Sequence, residues 1–237
     1  MARLKYFYKF HKMPNYEHPT DINEKINWNK FYGDTSRWAD LADKYKVREY
    51  VQSLGLGDTL VKLYGRWDKA SDIDWDRLPN QFVLKVNNGC GDILICRDKD
   101  KLDKATVIDT YDRLVSIKYG DVTGEPHYAR IQPCVIAEEL LDINKQSINT
   151  SSLIDYKVWC LNGKPYCIWC AWNRGKEGLI PESMIWIGII IRSGPYLRSI
   201  TDKVKKFFLN QSVLNVCLKL HLSYLKSSLY FVLTYTK

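Results

Sequence analysis

A lysine near the end of an apolar run, followed by a glycine-bearing turn, is the feature of this sequence best suited to chemistry. Lys85 lies in the run Phe82–Val86, and the turn Asn-Asn-Gly-Cys-Gly-Asp follows at residues 87–92. Lysine ammonium groups bind phosphate, and glycine lets backbone N–H groups approach an anion. The stretch therefore predicts a cradle for a nucleotide triphosphate. A solvent-facing lysine beside an ordinary Asn-Gly turn is an equally good interpretation of these residues alone.

Strands must position this lysine. Phe82–Val86 is β-branched and aromatic, which is typical of a buried strand, and Ile93–Cys96 is predicted to return beside it. The Walker-type motif GxxxxGK[ST], which opens a helix, is absent from the sequence. The pattern is therefore strand, loop, strand, with the lysine before the loop.

Helices and a strand are predicted on either side of this hairpin. Residues 36–53 repeat apolar side chains at helical spacing, residues 60–64 are predicted as a strand, and residues 98–119 are predicted as an amphipathic helical region. Residues 66–80 are predicted as a capped helical turn with a loop. This order indicates an α/β (α+β) fold.

A further strand over residues 131–141 runs into two carboxylates, Glu138 and Glu139. Such a strand end can present backbone groups to the edge of a purine. The alternative is that the two acids leave the strand for solvent, which is the commoner arrangement.

The N-terminal residues 1–35 are aromatic and basic, and Thr20–Glu24 is a plausible helix start. Burial of the aromatic side chains against the domain is the ordinary expectation. The functional alternative is a site for an acidic or glycan acceptor, in which tyrosine and tryptophan rings provide stacking surfaces.

Composition limits the class of protein. The chain has 237 residues, 46% of them hydrophobic and 26% charged, which is enough for one large or two small globular domains. The net charge of +8 suits polyanions without choosing among ATP, a glycan phosphate, a membrane face and nucleic acid. We expect a cytoplasmic protein without a transmembrane segment, because no 18-residue apolar stretch is present.

Metal-binding patterns are weak. The seven cysteines are expected to be free thiols, and Cys167-Ile-Trp-Cys170 has no second pair to complete a zinc site. The four histidines lie far apart, and the acidic cluster at residues 72–76 lacks the glycine and terminal glutamate of a calcium loop. We assign no metal ligand.

A hairpin is predicted over residues 155–170. Two alternating runs are joined by Asn162-Gly163, a dipeptide typical of tight turns. Arg174 follows on a predicted loop, where it could bind phosphate.

Five segments follow one another in the sequence: Asp43-Lys44-Tyr-Lys-Val-Arg48, Gly65-x-Trp67-Asp68, Leu78-Pro79-x-x-Phe82-Val83-Leu84-Lys85-x-Asn87-x-Gly89-x-Gly91, Ile136-Ala137-Glu138-Glu139, and Asp155-Tyr156-Lys157 with Asn162-Gly163-Lys164. Taken together in this order, they resemble the TupA-like ATP-grasp family over about residues 36–176. The joint order is more specific than any single motif.

The resemblance implies roles for the phosphate side of the site. Lys44 and Lys85 correspond to two lysines that contact phosphate. The loop expected to close over the β- and γ-phosphates comprises Gly89, Cys90, Gly91 and Asp92.

The resemblance also implies a hinge that reads adenine through the backbone and holds ribose through a carboxylate. That hinge comprises Glu138, Glu139 and Leu140. Lys157 and Arg174 are expected on the triphosphate or acyl-phosphate side.

Enzymes of this fold use ATP and Mg²⁺ to phosphorylate a carboxylate, and an amine then displaces the phosphate. Many members of the family carry the label glycosyltransferase in bacterial surface-polysaccharide loci, and the namesake is implicated in making a teichurono-peptide, a cell-wall polymer. The resemblance thus implies a carboxylate–amine ligase whose partners are ATP and a carboxylate- or amine-bearing glycan precursor, with no nucleic acid. A glycosyltransferase or glycan-binding protein is the alternative.

The sequence departs from the family pattern after residue 183. An Arg-Val-Asp-Leu-Tyr-like strand and the glutamate that holds magnesium are both missing, so the ligands for Mg²⁺ cannot be identified. Codons for Met184–Ile187, read from their third base, give Asp, Leu or Met, and Asp, as in the family's Asp-Leu-Asp-Trp-Asn-like segment. Residues 231–236 in the same displaced frame permit Arg-Val-Asp-Leu-Tyr.

These coincidences lead to the hypothesis of a frameshift shortly before Met184, with a truncated and impaired ATP-grasp unit. The expected segments are an aromatic and basic N-terminus (1–35), a first ATP-grasp subdomain with the lysine and glycine-rich loop (36–140), the start of a second subdomain (141–183) and an aberrant tail (184–237). The expected fold is ATP-grasp, incomplete at the C-terminus.

Overall fold

A computed structural model describes residues 2–145, 151–153, 155–161, 164–175, 178–186, 189–192 and 230–235. Two compact units divide the chain, Met1–Leu140 and Leu141–Lys237.

The first unit contains a four-stranded antiparallel sheet in the order β1-β4-β2-β3. Its strands are β1 (Leu63–Trp67), β2 (Phe82–Val86), β3 (Ile93–Cys96) and β4 (Val135–Glu138). The predicted strands β2 and β3 are confirmed, and Lys85 of β2 is paired with Ile93 of β3 and with Ile136 of β4. The strand predicted over 60–64 begins three residues later, because its first pairing with β4 is made by Leu63.

Six helices of the first unit flank or precede this sheet among the described residues. They are α1 (Ala2–Phe10), α2 (Ile22–Tyr32), α3 (Trp38–Ala42), α4 (Val47–Ser53), α5 (Lys104–Ser116) and α6 (Tyr119–Thr123). Two short 3-10 turns, Ala70–Asp72 and Trp75–Arg77, occupy the stretch before β2 where a capped turn was predicted. The helix start at Thr20–Glu24 is confirmed by a capping box in which Asp21 is the N-cap and Glu24 is the third residue.

The helical spacing over residues 36–53 predicts one continuous helix, and this prediction is wrong, because the helix breaks at Asp43. The Asp43 carboxylate accepts hydrogen bonds from the backbone N–H groups of Tyr45 at 2.8 Å and Lys46 at 3.2 Å. These bonds stabilise a turn in place of a continuous helix. The break places Lys44 in the turn, where its backbone N–H donates to the carbonyl oxygen of Asn87 at 3.1 Å.

The core of the first unit lies between the sheet and α5. Phe82, Leu84 and Val135 are fully buried. The Tyr111 hydroxyl of α5 donates to the carbonyl oxygen of Leu84 and accepts from the N–H of Leu94, both at 2.9 Å. Burial raises the pKa of Tyr111 to about 12, so this phenol stays protonated and holds α5 on the hairpin β2–β3.

The second unit contains a five-stranded antiparallel sheet in the order β8-β7-β6-β5-β9. Its strands are β5 (Asp155–Leu161), β6 (Lys164–Gly175), β7 (Gly178–Trp186), β8 (Ile189–Arg192) and β9 (Tyr230–Tyr235). The hairpin strands β5 and β6 are confirmed, whereas the turn residues Asn162 and Gly163 lie outside the described residues. Of the tail predicted to be aberrant, residues 184–186, 189–192 and 230–235 belong to strands of this sheet, and residues 193–229 lie outside the described residues.

Candidate functional site

The candidate site is built around a buried carboxylate between two cations. Neighbouring strands β2 and β4 place Lys85 and Glu138 on the same face of the sheet, diagonally across the pairing of Val83 with Glu138. Lys85 Nζ lies 2.6 Å from Glu138 Oε2, and Arg48 Nη1 lies 3.2 Å from Glu138 Oε1. Each carboxylate oxygen therefore has its own cationic donor.

Burial distinguishes the two cations. The side chains of Glu138 and Arg48 are 9% and 14% exposed, whereas that of Lys85 is 28% exposed. Arg48 is also fixed by a hydrogen bond from Nη2 to the carbonyl oxygen of Val61 at 2.6 Å. Arg48 thus belongs to the scaffold, and Lys85 is the cation that solvent or a ligand can reach.

Lys44 reaches the same region from the turn between α3 and α4. Its ammonium group donates to the carbonyl oxygens of Val86 at 3.2 Å and Asn87 at 3.3 Å, and also to that of Gly89. Burial lowers the pKa of Lys44 from its ordinary value, and the positive charge of nearby Lys85 lowers it further. The two lysines are therefore close enough to interact, and one of them is bound to the loop that follows β2.

Asn87 holds the start of this loop in place. Its side chain accepts from the N–H of Cys134 at 2.8 Å and donates to the carbonyl oxygen of Gln132 at 3.0 Å. Its backbone N–H donates to the carbonyl oxygen of Cys134 at 3.0 Å. Because Asn87 is fully buried, these bonds fix the end of β2 to the segment that enters β4.

Beyond this anchor the loop is open to solvent. Gly89 is half-buried, and Cys90, Gly91 and Asp92 are exposed. Gly91 has a φ of 99°, a conformation that disfavours any side chain. The loop therefore has a rigid base at Asn87 and an exposed tip, an arrangement suited to covering a ligand.

The predicted hinge residues lie at the end of β4 and directly after it. Glu138 is part of β4, so its backbone is paired within the sheet. The Glu139 N–H donates to the carbonyl oxygen of Lys62 at 2.9 Å, and its side chain is exposed. Leu140 is half-buried and closes the first unit. Their roles toward adenine and ribose stay predictions.

Two predicted residues lie in the second unit. Lys157 is on β5, where its Nζ lies 3.6 Å from Asp155 Oδ2. Arg174 is on strand β6 and not on the loop that the sequence predicted, because β6 continues in pairing with β7 to Gly175. The roles of both residues toward phosphate stay predictions.

Sequence reasoning missed the contributions of Arg48 and Asn87. Both residues occur in the quoted motifs, but their partners are far away in sequence, Glu138 for Arg48 and Cys134 for Asn87. Two signals were available, a cation on an amphipathic helix and an amide directly after a buried strand. Neither signal identifies its partner.

A metal-binding cluster is not found in the part of the chain that the structure describes: no group of three or more His, Cys, Asp or Glu side chains there could hold an ion. Cys90 is an exposed free thiol, and Cys96 and Cys134 are buried free thiols. No helix formed by the described residues is long and apolar enough to cross a membrane.

An antiparallel sheet flanked by helices, with a lysine before a glycine-bearing loop and a carboxylate on the neighbouring strand, agrees with the ATP-grasp fold expected from the sequence. The TupA-like ATP-grasp family model matches residues 24–178. The chain therefore belongs to the TupA-like ATP-grasp family. No curated protein and no solved structure shows significant similarity to it.

Proposed function

We propose that this chain binds ATP with the triphosphate against Lys44, Lys85 and the loop Gly89–Asp92. The observation that carries the proposal is the convergence of the two lysines at the base of that loop, where the Lys44 ammonium contacts the carbonyl oxygens of Val86, Asn87 and Gly89 and Lys85 is paired with Glu138. Cationic side chains and backbone donors in a partly buried place are what a transferring phosphoryl group requires.

The donor set fits a triphosphate. The Lys44 ammonium is satisfied by neutral carbonyl oxygens, and phosphate oxygens are stronger acceptors for the same donors. Lys85 can turn to a phosphate without leaving Glu138 unpaired, since Arg48 stays bound to the other carboxylate oxygen. In the proposed site both lysines thus exchange protein acceptors for phosphate.

The remaining predicted residues complete the proposal. Glu138, Glu139 and Leu140 form the hinge for adenine and ribose, and Lys157 and Arg174 act on the triphosphate or acyl-phosphate side. Family expectation adds Mg²⁺, but the described residues supply no cluster for it.

The proposed reaction is ATP-dependent ligation of a carboxylate to an amine on a precursor of bacterial cell-surface polysaccharide. A substrate carboxylate oxygen attacks the γ-phosphorus of ATP, the bond to the bridging oxygen breaks, and ADP leaves. The amine nitrogen then attacks the carbonyl carbon of the acyl phosphate and loses a proton, and inorganic phosphate leaves as the amide forms. Lys44 and Lys85 would neutralise the charge of the phosphoryl group in the first step.

Thermal unfolding with and without ATP tests the proposal. Ligand at about 100 times its Kd stabilises a protein by about 2.7 kcal/mol, so saturating ATP should raise the Tm clearly. We expect Lys85→Ala to weaken ATP binding about 10- to 100-fold, because one charge-assisted hydrogen bond is lost. Circular dichroism checks that the variant is folded.

Lys101→Ala is the matched control. Lys101 is 84% exposed and pairs only with Asp98 on its own turn among the described contacts, so its removal should leave the ATP effect unchanged. If a nucleotide-sugar stabilises the protein and ATP does not, the ATP-grasp ligase proposal is overturned in favour of the glycosyltransferase alternative.

A further inference from the structure

A cavity lies in the N-terminal part of the first unit, among residues that precede the nucleotide-site lysines. It measures about 570 Å³ and is formed by α1, α2 and the segment between them. Its lining includes Arg3, Asn15, Tyr16, Glu17, Trp28 and Tyr32. Its size falls within the range of about 300 to 1,000 Å³ that is usual for small-molecule sites.

The walls of this cavity are built and held in position. The Glu24 carboxylate accepts from the N–H groups of Asn15 at 3.0 Å and Thr20 at 2.8 Å, which fixes the segment between the helices onto α2. The Asn15 side-chain oxygen accepts from the N–H groups of Glu17 and His18. Asn15 and Glu17 of the lining therefore lie on a segment that is held by hydrogen bonds.

Aromatic rings form much of the lining, and two of them are not buried as core residues would be. Trp28 and Tyr32 lie one helical turn apart with ring centroids 6.2 Å from each other, and they are 37% and 61% exposed. Burial of aromatic residues was the ordinary expectation for this segment, and these two residues depart from it. Exposed ring faces beside a concave space are stacking surfaces.

Tyr16 provides an independent sign of a ligand. It is 8% exposed, it lines the cavity, and its hydroxyl is a buried polar group with no hydrogen-bond partner in the described part of the chain. The Arg3 guanidinium lies 5.4 Å from the centre of the Tyr16 ring. A buried hydroxyl without a partner carries a cost of about 1–3 kcal/mol, which a ligand hydroxyl can remove once the lining moves to expose the Tyr16 oxygen.

We propose that this cavity binds a pyranose unit of a saccharide. A pyranose presents an apolar C–H face that suits the rings of Trp28 and Tyr32, and hydroxyl groups around its edge. The Glu17 carboxylate accepts hydrogen bonds, the amide nitrogen of Asn15 and the Arg3 guanidinium donate them, and a hydroxyl needs both kinds of partner. Aromatic faces with donors and acceptors at their edge match that chemistry.

The inference rests on the proposed function for its biological setting, since it assigns a place to the saccharide part of the substrate. Its physical basis is separate, because none of the cavity residues named belongs to the nucleotide site. Loss of one site should therefore leave binding at the other intact, and the two proposals can fail independently.

Saturation-transfer NMR on the full chain tests the proposal directly. The probes are methyl β-D-glucopyranoside, methyl β-D-galactopyranoside, N-acetylglucosamine and glucuronic acid, each at millimolar concentration, with sorbitol as an open-chain polyol that lacks a ring face. We expect saturation transfer to at least one pyranose, strongest at its C–H protons, and none to sorbitol. Absence of transfer to all four sugars, or equal transfer to sorbitol, overturns the proposal.

Variants locate the binding. Trp28→Ala and Tyr32→Ala should each weaken the Kd about tenfold, the equivalent of one stacking contact. Tyr8→Ala is the matched control, since Tyr8 lies on α1, is 76% exposed and does not line the cavity. Tyr16→Phe removes only the hydroxyl and should also weaken binding.

ATP stabilisation is measured on the same variants. If Trp28→Ala is still stabilised by ATP but no longer binds the sugar, a separate saccharide site is supported. Should Trp28→Ala fail to fold, Tyr32→Ala serves as the second variant, because Tyr32 is more exposed. Sugar binding that is unchanged by both variants, or weakened equally by Tyr8→Ala, contradicts the site. Failure of ATP binding with sugar binding intact would contradict only the nucleotide proposal.

Discussion

Glu138 determines how the cations of the candidate site are held. Its carboxylate is nearly buried and meets Lys85 on one oxygen and Arg48 on the other. A buried carboxylate with one cation would strongly resist losing it, whereas a carboxylate with two keeps a partner when one turns away. Arg48 thereby makes Lys85 available to a ligand at low cost.

Glu138→Gln tests this arrangement. The amide removes the negative charge and leaves Lys85 and Arg48 close together without compensation, so we expect a loss of about 2–4 kcal/mol in the free energy of unfolding. Urea denaturation measures it. Glu139→Gln, at an exposed position one residue away, should change the free energy by less than about 0.5 kcal/mol. Equal effects of the two substitutions would show that the cluster contributes nothing to stability.

At the scale of elements, local patterns predicted the hairpin and long-range contacts determined the rest. β2 and β3 could be predicted because apolar, β-branched residues flank a turn that contains glycine. The break in the helix at Asp43 could not, since helical spacing continues through residues 36–53 and the turn is stabilised in part by the contact of Lys44 with Asn87. The sequence indicated which lysines and which carboxylate belong to the site. It could not indicate that Arg48 pairs with Glu138, because these residues are 90 positions apart.

Helix α2 begins with a capping box, and its Glu24 carboxylate should make the stability of the fold depend on pH. Glu24 accepts hydrogen bonds from the backbone N–H groups of Asn15, Thr20 and Asp21, and these lower its pKa from 4.5 to about 2. The ionised form is therefore favoured in the folded state. Its contribution is fully present above pH 4.5 and is lost as the pH falls toward 2.

Glu24→Gln should lower the Tm at pH 7 and should differ less and less from the unsubstituted chain as the pH falls from 5 to 2. Thermal unfolding followed by circular dichroism across that range measures the difference. Glu49→Gln, at an exposed glutamate of α4, is the control and should give a small difference at every pH. A Tm difference for Glu24→Gln that stays constant with pH would contradict the role assigned to its charge.

At the scale of the whole molecule, Lys44, Lys85 and the loop Gly89–Asp92, which are proposed to contact the triphosphate, all lie in the first compact unit. The family pattern adds acidic magnesium ligands after residue 183, where this sequence reads differently. We therefore expect ATP binding to survive in this chain and turnover to be impaired.

The frameshift hypothesis predicts a displaced reading frame shortly before Met184. If a frameshift occurred there, the encoding DNA, read from the third base of codon 184, gives Asp, then Leu or Met, then Asp, and then a tryptophan codon. Further along, the same frame gives Arg-Val-Asp-Leu-Tyr at the codons of residues 231–236. A chain made from that restored frame should release phosphate from ATP in the presence of a carboxylate and an amine, whereas the present chain should bind ATP with much less release. Lys85→Ala in the restored chain is the control, since it should abolish release through lost binding. A displaced frame that lacks the tryptophan codon, or a present chain that turns over ATP as fast as the restored one, would show that residues 184–237 are the protein's own and functional C-terminus.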